Sequence, residues 1–296
     1  MKKIFMFLVI ILSLVNATSG SQIGIGLPWK DIVFWRFWQS DNGILKENML
    51  ILNERNESIN AKFMIAKIID EGILVKDVTD SSFGVIGGPW QIPAHGYQIV
   101  SMPKVPDSIE NKGNYFYRVT CSSSDKTGLM KIHNTKPKGN FPQNRIITTN
   151  EWGSGNFWCE YSSLFAASGE YVNVRLTFIP RKLEQREKDS CYIQFTDPTD
   201  SIYIPVEKRL KLIKVESGNL PIQSNKLKDT RHWANSQIIK FPPPNANSEY
   251  PETYSVDFIL QAPQTSFPEL RSYYIQLVRG NDGGNFLSLI ILPKGN

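Results

Sequence analysis

The chain has 296 residues, of which 41% are hydrophobic and 21% charged, with a formal net charge of +5. This apolar content is too high, and the charge too small, for an intrinsically disordered polypeptide. Three cysteines in so long a chain exclude a small disulfide-rich scaffold, and the length suits one large domain or two of ordinary size.

Residues 1–17 have the composition of a secretory signal peptide. Lys2 and Lys3 precede the apolar segment 4–15, and small residues follow. Cleavage is predicted after Ala17, with Ser19 and Ser21 as alternative positions. The apolar segment is too short to span a bilayer, which needs about 20 residues. We therefore expect a mature chain without a transmembrane segment that is secreted, periplasmic or displayed at the cell surface.

The charge of the mature chain does not favour nucleic acid as a partner. Removal of the signal peptide takes away two lysines and no acidic residue, so the net charge falls from +5 to +3. The most basic run, 208–214, alternates cations with apolar residues, as a strand with one solvated face does.

Short runs of alternating or β-branched residues recur along the chain, separated by Gly, Pro, Asn and Asp. The predicted strands cover residues 31–38, 48–52, 61–68, 73–78, 97–102, 115–121, 128–133, 145–149, 157–161, 171–179, 191–195, 201–204, 210–215, 237–241, 253–261, 272–278 and 286–292. A short helix is considered only at 162–167. This spacing is typical of antiparallel sandwiches.

The predicted linker is the segment 134–144, which is polar and holds two prolines and a glycine. Seven predicted strands precede it, which is the number in an immunoglobulin-like domain, and ten follow it, which is closer to a jelly roll. We therefore expect an all-β chain with two antiparallel β-sandwich domains. The first, 23–133, is predicted to be immunoglobulin-like, and the second, 145–296, a larger jelly-roll-like sandwich.

The first predicted domain has a characteristic order of motifs. A strand ends in Asn53, a Pro-x-x-Gly turn within 90–96 precedes the strand 97–102, and Tyr-Arg-Val follows at 117–119. This order resembles the N-terminal domain of periplasmic pilus-assembly chaperones and their PapD-like relatives. The resemblance implies a domain that handles other exported proteins, and it implies for Arg36 the role of the family's arginine, which binds the carboxyl terminus of a pilin client. The second predicted domain is longer than that of the chaperones.

The cysteines are Cys121, Cys159 and Cys191. An exported chain meets an oxidising environment, in which pairing is expected, and the odd number leaves one thiol free or paired between chains. A Cys159–Cys191 disulfide is predicted because both residues would lie in the second domain.

The sequence lacks the common motifs for catalysis and for metal or nucleotide binding, so no cofactor and no metal is expected. The glycine-rich segment 280–285 fits a hairpin turn better than a calcium loop. Glu151, Glu160 and Asp257 are conceivable as the paired carboxylates of a glycoside hydrolase, since separate strands could bring them together.

Two aromatic segments are candidate binding features. The segment 34–38 places rings on both faces of one strand. That pattern fits a central strand packed on both sides, an interdomain contact, or a platform for a sugar or a partner. Trp152 and Trp158 lie in an aromatic, glycine-rich turn and are candidate binding residues.

A third candidate is the segment 228–235, which is predicted to be a loop between strands. Asp229, Arg231, His232 and Trp233 would form a polar-rimmed binding loop there. The alternative is a tryptophan that covers the edge of the sandwich, with ordinary loop neighbours.

These features predict an exported, non-catalytic protein that binds other exported or cell-surface proteins, with strand addition to a sheet edge as the binding mode. One alternative is a carbohydrate-binding module that uses Trp152, Trp158 and Trp233 as stacking rings on a glycan. The other is a secreted glycan-processing hydrolase.

Overall fold

The computed structural model describes residues 32–70, 75–110, 112, 114–122, 124–132, 136–149, 157–180, 191–196, 210–221, 224–230, 233–241, 253–262, 272–279 and 285–294. The predicted signal peptide lies outside these ranges. Nearly every described element is a strand in an antiparallel sheet, so the predicted all-β sandwich class is confirmed. Within the same ranges, no helix has the length and apolar character needed to cross a membrane.

The elements up to residue 131 are β1 (Ile32–Asp41), β2 (Ile44–Asn53), β3 (Ile59–Asp70), β4 (Val75–Thr79), a 3₁₀ turn (Ser81–Phe83), β5 (Val85–Ile92), β6 (Gly96–Ser101), α1 (Asp107–Glu110), β7 (Tyr115–Cys121) and β8 (Ser124–Lys131). The remaining described elements are β9 (Ile146–Thr149), β10 (Phe157–Tyr161), β11 (Phe165–Ala166), β12 (Tyr171–Phe178), β13 (Cys191–Thr196), β14 (Lys211–Ser217), β15 (Ser224–Thr230), β16 (Trp233–Lys240), β17 (Tyr254–Gln261), β18 (Ser272–Arg279), β19 (Asn285–Ile290) and β20 (Leu292–Pro293).

The chain divides into two compact units. Unit 1 comprises Met1–Arg36 and Glu47–Asn134, and unit 2 comprises Phe37–Lys46 and Thr135–Asn296. The hairpin of β1 and β2 therefore has its open end in unit 1 and its turn in unit 2. The domain ranges predicted from the sequence, 23–133 and 145–296, stay predictions.

The hairpin turn between β1 and β2 is set by Asn42 and Gly43. Both residues have positive φ, 51° and 77°, as a two-residue type I′ turn requires. A Cβ added at Gly43 would meet no atom within 4 Å, so the glycine serves the backbone conformation rather than close packing. Lys46 and Asp41 form an exposed ion pair of 2.7 Å beside the turn.

Unit 1 is a sandwich of two sheets. One contains β1, β2 and β6 in that order, and the other has the order β4-β3-β7-β8 with β5 on β3. Alternate residues of these strands point into a shared core, as the period of a strand dictates. The buried core residues are Ile32, Phe34, Met49, Ile51, Ile59, Ala61, Phe63, Ile65, Ile92, Val100, Ile109, Tyr117, Val119, Cys121 and Ile132.

Strand β5 is not among the predicted strands, because Gly87-Gly88-Pro89 has the composition of a turn. The structure explains the glycines by a close approach between β5 and β3. Gly88 has a φ of 86°, and a Cβ at this position would lie 2.6 Å from the carbonyl oxygen of Ala61.

Unit 2 is a second sandwich. Its larger sheet has the order β14-β17-β12-β10-β9, and β9 pairs with the part of β1 that belongs to unit 2, residues 37–41. The other sheet has the order β15-β16-β13-β18-β19. The alternating burial of β17 shows how each strand of the larger sheet turns one face to the core and the other outward. Strands β9 and β10 of the larger sheet contact β19 of the other.

The prediction of a short helix at 162–167 is wrong. The amide of Phe165 donates to the Ser163 hydroxyl at 3.0 Å, a local turn that competes with helix formation. Phe165 and Ala166 then form β11, which pairs in parallel with Leu292 and Pro293 of β20. The described helix lies instead at Asp107–Glu110.

The loop predicted at 228–235 is also corrected, because strands occupy most of it. Residues 228–230 belong to β15 and residues 233–235 to β16, and Thr230 pairs with Trp233. β15 is the edge strand of its sheet. An edge tolerates the polar run Lys-Asp-Thr, which has no apolar alternation to mark it as a strand.

Candidate binding site

Arg36 lies in the interior of unit 1. Its Nε donates to Glu47 Oε1 at 2.5 Å, its Nη2 donates to the carbonyl oxygen of Ile132 at 3.0 Å, and its guanidinium lies 5.7 Å from the centre of the Tyr117 ring. Only 3% of the Arg36 side chain is exposed. This environment is that of a structural ion pair, so burial disfavours the partner-binding role that the resemblance implies for Arg36, and that role stays a prediction.

Trp158 is buried in a small apolar cluster with Trp38 and Ile147. The cluster lies on the side of the larger sheet of unit 2 that faces away from the core, which we call the outer face. Phe141 packs edge-on against Trp158, with 6.0 Å between ring centres. Trp158 is therefore not displayed for stacking on a glycan, and Trp152 lies outside the described residues. Every residue of the segment 34–38 is buried, so its rings are not displayed as a binding platform.

Phe141 belongs to the predicted linker, whose described part packs against Ser40 of β1. The Ser40 amide donates to the Arg145 carbonyl at 2.9 Å, and the Asn144 amide donates to the Ser40 carbonyl at 3.0 Å. The Ser40 hydroxyl also donates to the carbonyl of Pro142. Within unit 2, residues 141–145 are thus held against β1 by hydrogen bonds to Ser40 and against β10 by the ring of Phe141.

Two residues of the third candidate lie in the described hairpin of β15 and β16. Asp229 lies in β15 and Trp233 begins β16. Arg231 and His232 lie outside the described residues. Their role as a binding loop stays a prediction.

The predicted Cys159–Cys191 disulfide has no support, because Cys159 carries a free thiol. Cys159 lies between Thr148 and Leu176 in the larger sheet of unit 2, whereas Cys191 lies opposite Arg279 in the other sheet. Burial raises the pKa of Cys159 well above its usual value, and burial also raises the pKa of the free thiol of Cys121 to about 11. Both thiols are therefore protonated near neutral pH and poorly nucleophilic.

The edge of unit 1 that β6 forms is a candidate docking site that the sequence analysis did not single out. The Met102 amide donates to the Glu47 carbonyl at 3.1 Å, and the pairing of β2 with β6 continues in the same register from Asn48–Ser101 onward. Residue pairs that exchange backbone hydrogen bonds alternate with pairs that do not in antiparallel strands. Because Met102 is hydrogen-bonded to Glu47, the pairs of Ser101 and Ile99 with β2 are of the second kind, and these two residues direct their N–H and C=O groups away from β2. Among the described strands, none pairs with this side of β6.

β6 also lacks the features by which sheet edges are usually protected. Its six residues, Gly96–Ser101, include no charge and no proline, and its register with β2 has no bulge. By contrast, β14, an edge strand of unit 2, carries Lys211, Lys214 and Glu216 and has a register shift after Leu212. Charges and bulges discourage the addition of a foreign strand, so β6 is the more receptive of the two edges.

The outer face of unit 2 carries a row of charged side chains. Arg175 lies opposite Glu160 on one side and Asp257 on the other, and it donates to both carboxylate oxygens of Asp257, at 2.8 and 3.1 Å. Desolvation raises the pKa of the half-buried Glu160, while the charges of Arg145 and Arg175 oppose the shift. Two of the three carboxylates considered for hydrolysis therefore share one face, two strands apart.

The described residues contain no group of three or more His, Cys, Asp or Glu side chains placed to hold a metal ion.

Comparison with known proteins identifies no family. No family model matches the sequence, and no curated protein matches it. Among solved structures, the chain is similar to a type I cohesin of Pseudobacteroides cellulosolvens, at 14% identity over 45% of this chain and 88% of that one, with a TM-score of 0.27. It is also similar to the major pilin SpaD of Corynebacterium diphtheriae, at 8% identity over 79% and 60%, with a TM-score of 0.27.

A third similar structure is the collagen adhesin of S. aureus, at 6% identity over 94% of this chain and 98% of that one, with a TM-score of 0.24. Similarity at these TM-scores carries no argument about function. The resemblance to pilus-assembly chaperones stays a prediction.

Proposed function

We propose that the protein is an exported, non-catalytic β-sandwich protein that binds another exported or cell-surface protein by strand addition to β6. The observation that carries this proposal is the edge of β6, which has no charge, proline or bulge and whose outer side pairs with none of the described strands. The export step rests on the signal peptide that the sequence predicts.

The edge supplies both parts of a strand-addition site. The outward N–H and C=O groups of Ile99 and Ser101 provide main-chain hydrogen bonds to an extended partner segment, each with a net worth of about 1 kcal/mol. The side chain of Ile99, which is 39% exposed, offers an apolar contact beside them. Because β6 carries no charge, the partner that fits best is an extended segment with an uncharged, partly apolar stretch.

A proline at position 99 separates strand addition from folding. The amide of Ile99 points away from β2, so the Ile99→Pro variant loses an outward donor without losing a bond of the β2–β6 pair. Ile99→Val is the matched control, because it keeps the amide and the apolar character. Circular dichroism and thermal unfolding verify that both variants fold.

The experiment places a photo-reactive amino acid at Ser101 in the full chain and irradiates the producing cells. We expect one defined protein to be cross-linked, the cross-link to disappear in the Ile99→Pro background and to persist with Ile99→Val. The same probe at Lys211 of β14 should capture nothing comparable. An equal yield from a folded Ile99→Pro variant, or no defined product at position 101, contradicts strand addition at β6.

The absence of catalysis is part of the proposal and has a separate test. The purified protein is incubated with a panel of polysaccharides, and new reducing ends are measured. Their appearance, and their loss in a Glu160→Gln variant, would favour the hydrolase alternative.

A further inference from the structure

The outer face of unit 2 displays three cross-strand rows on β12, β17 and β14. Residues that lie directly opposite each other in antiparallel strands project from the same face. The rows are Tyr171–Gln261–Lys211, Asn173–Ile259–Lys214 and Arg175–Asp257–Glu216. The residues between them on β12 and β17, such as Val174 and Phe258, are buried in the core, so the three rows are the solvent side of the sheet.

We propose that this face binds a neutral polysaccharide, with the ring of Tyr171 as the stacking platform. Tyr171 begins β12 and is 59% exposed, the second most exposed of the large hydrophobic side chains in the described part of the chain. A flat phenol ring at a fixed position offers its face to the C–H side of a sugar ring, at the cost of only two side-chain torsions.

The charges on the face favour a neutral ligand. Arg175 is paired with Asp257 through two hydrogen bonds, and Lys214 forms an ion pair with Glu216. Four of the five charges in the three rows are therefore compensated in pairs, which leaves little net field to attract an acidic or a basic ligand.

The paired groups still have hydrogen-bonding capacity for sugar hydroxyls. A guanidinium has five N–H donors and a carboxylate about four acceptor sites, and the Arg175–Asp257 pair uses two of each. The exposed residue Asn173 and the half-buried Gln261, whose Nε2 donates to the Gly169 carbonyl at 3.4 Å, add amide groups that both donate and accept. A sugar hydroxyl also donates and accepts, so donors and acceptors of this mixed kind are chemically complementary to it.

The dimensions suit a chain rather than a single sugar. Tyr171 and Arg175 are four residues apart on one strand, which corresponds to about 13 Å. The three strands together are about 10 Å wide at the spacing of hydrogen-bonded strands. A ligand that contacts both the ring and the ion pair therefore spans more than one sugar unit.

A protein partner fits this face less well. Protein interfaces have an apolar centre that is poor in charge. The three rows contain only two apolar side chains, Tyr171 and Ile259, among five charged ones.

The test is native electrophoresis of the full chain in gels that contain one soluble polysaccharide each. The neutral probes are hydroxyethyl cellulose, xylan, glucomannan, starch and dextran, and the acidic probes are pectate and alginate. We expect at least one neutral probe to retard the protein. Tyr171→Ala should weaken that binding about tenfold, as the loss of one stacked ring implies.

Matched variants separate stacking from folding. Tyr171→Phe keeps the ring and should bind within about twofold of the parent, whereas Asn173→Ala should weaken binding several-fold. Tyr97→Ala removes an exposed tyrosine elsewhere and should change nothing. Ile99→Pro should also leave the retardation intact, so this proposal and strand addition at β6 can fail independently.

Three results would overturn the proposal. The first is the absence of retardation by every neutral probe. The second is full binding by a folded Tyr171→Ala variant. The third is retardation by pectate or alginate alone that is abolished by added salt, which would indicate a charge-driven surface.

Discussion

The buried pair of Arg36 and Glu47 gives the sharpest test of how unit 1 is stabilised. The Glu47→Gln variant keeps the shape of the side chain but removes the negative charge that pairs at 2.5 Å with the Arg36 guanidinium, whose side chain is 3% exposed. Removing one partner of a buried ion pair lowers the free energy of unfolding by about 3–5 kcal/mol. Because the contacts to the Ile132 carbonyl and the Tyr117 ring remain, we expect a loss near the lower limit, about 3 kcal/mol.

The reciprocal variant, Arg36→Met, should lose less stability than Glu47→Gln, and this difference is the main expectation. Arg36→Met fills the space with an apolar chain, and the remaining Glu47 carboxylate, 20% exposed, can reach water. The Ile132 carbonyl loses a donor, so we expect a cost of about 1–2 kcal/mol. The double variant should be close to Arg36→Met alone, which gives a coupling energy of about 3 kcal/mol between the two positions.

Urea unfolding of the full chain at pH 7, followed by circular dichroism and by tryptophan fluorescence, measures these differences as shifts of the transition midpoint. If both single variants unfold within about 0.5 kcal/mol of the parent, the pair does not stabilise unit 1. The partner-binding role that the chaperone resemblance implies for Arg36 would then be the better explanation of its presence.

Three further predictions concern thiols, pH and the backbone. Cys121 and Cys159 should react with a disulfide reagent at pH 8 only after unfolding in urea, because burial keeps both thiols protonated. Rapid reaction of two or more thiols in the native chain would refute this. Desolvation raises the pKa of Glu160 in the folded chain, so the free energy of unfolding should fall as the pH rises from the ordinary pKa of a glutamate through the raised one. Urea midpoints measured between pH 4 and 7 should show this fall in the parent, and the contribution should be lost in Glu160→Gln. Gly43→Ala should cost about 1 kcal/mol for positive φ alone, and Gly88→Ala clearly more, because its Cβ also meets a backbone oxygen; equal midpoints in thermal unfolding would contradict the clash.

Local patterns in the sequence predict the strands where apolar residues alternate. The run Tyr254–Phe258 alternates apolar and polar residues, and β17 buries every second residue of it as expected. Aromatic side chains on both faces of 34–38 likewise indicate a strand covered on both sides. Such predictions succeed because the period of two, which places alternate side chains on the same face of a strand, is a local property of the chain.

Predictions fail where backbone chemistry or strand pairing decides. Gly88 and Pro89 indicate a turn, yet they lie in β5, where the glycine permits close approach to β3. Ser163 competes for the amide that a helix at 162–167 would need.

The candidate sites depend on pairing between distant segments and could not be read from local patterns. Arg175 and Asp257 are 82 residues apart in sequence, and only the register of β12 with β17 makes them neighbours. The prediction of a strand at 97–102 is correct in its location, but nothing within that segment indicates that β6 is an edge.

The division of the β1–β2 hairpin limits how this protein can be taken apart. Because Phe37–Lys46 belongs to unit 2 while the chain on both sides belongs to unit 1, a fragment that starts at Thr135 would lack the strand that pairs with Ile146 and Ile147. Neither unit is a contiguous stretch of polypeptide that a single cut could release. Gene fusion or recombination at the middle of the sequence would therefore transfer an incomplete sandwich, and expression trials of half-chains should be designed around the hairpin rather than around the segment 134–144.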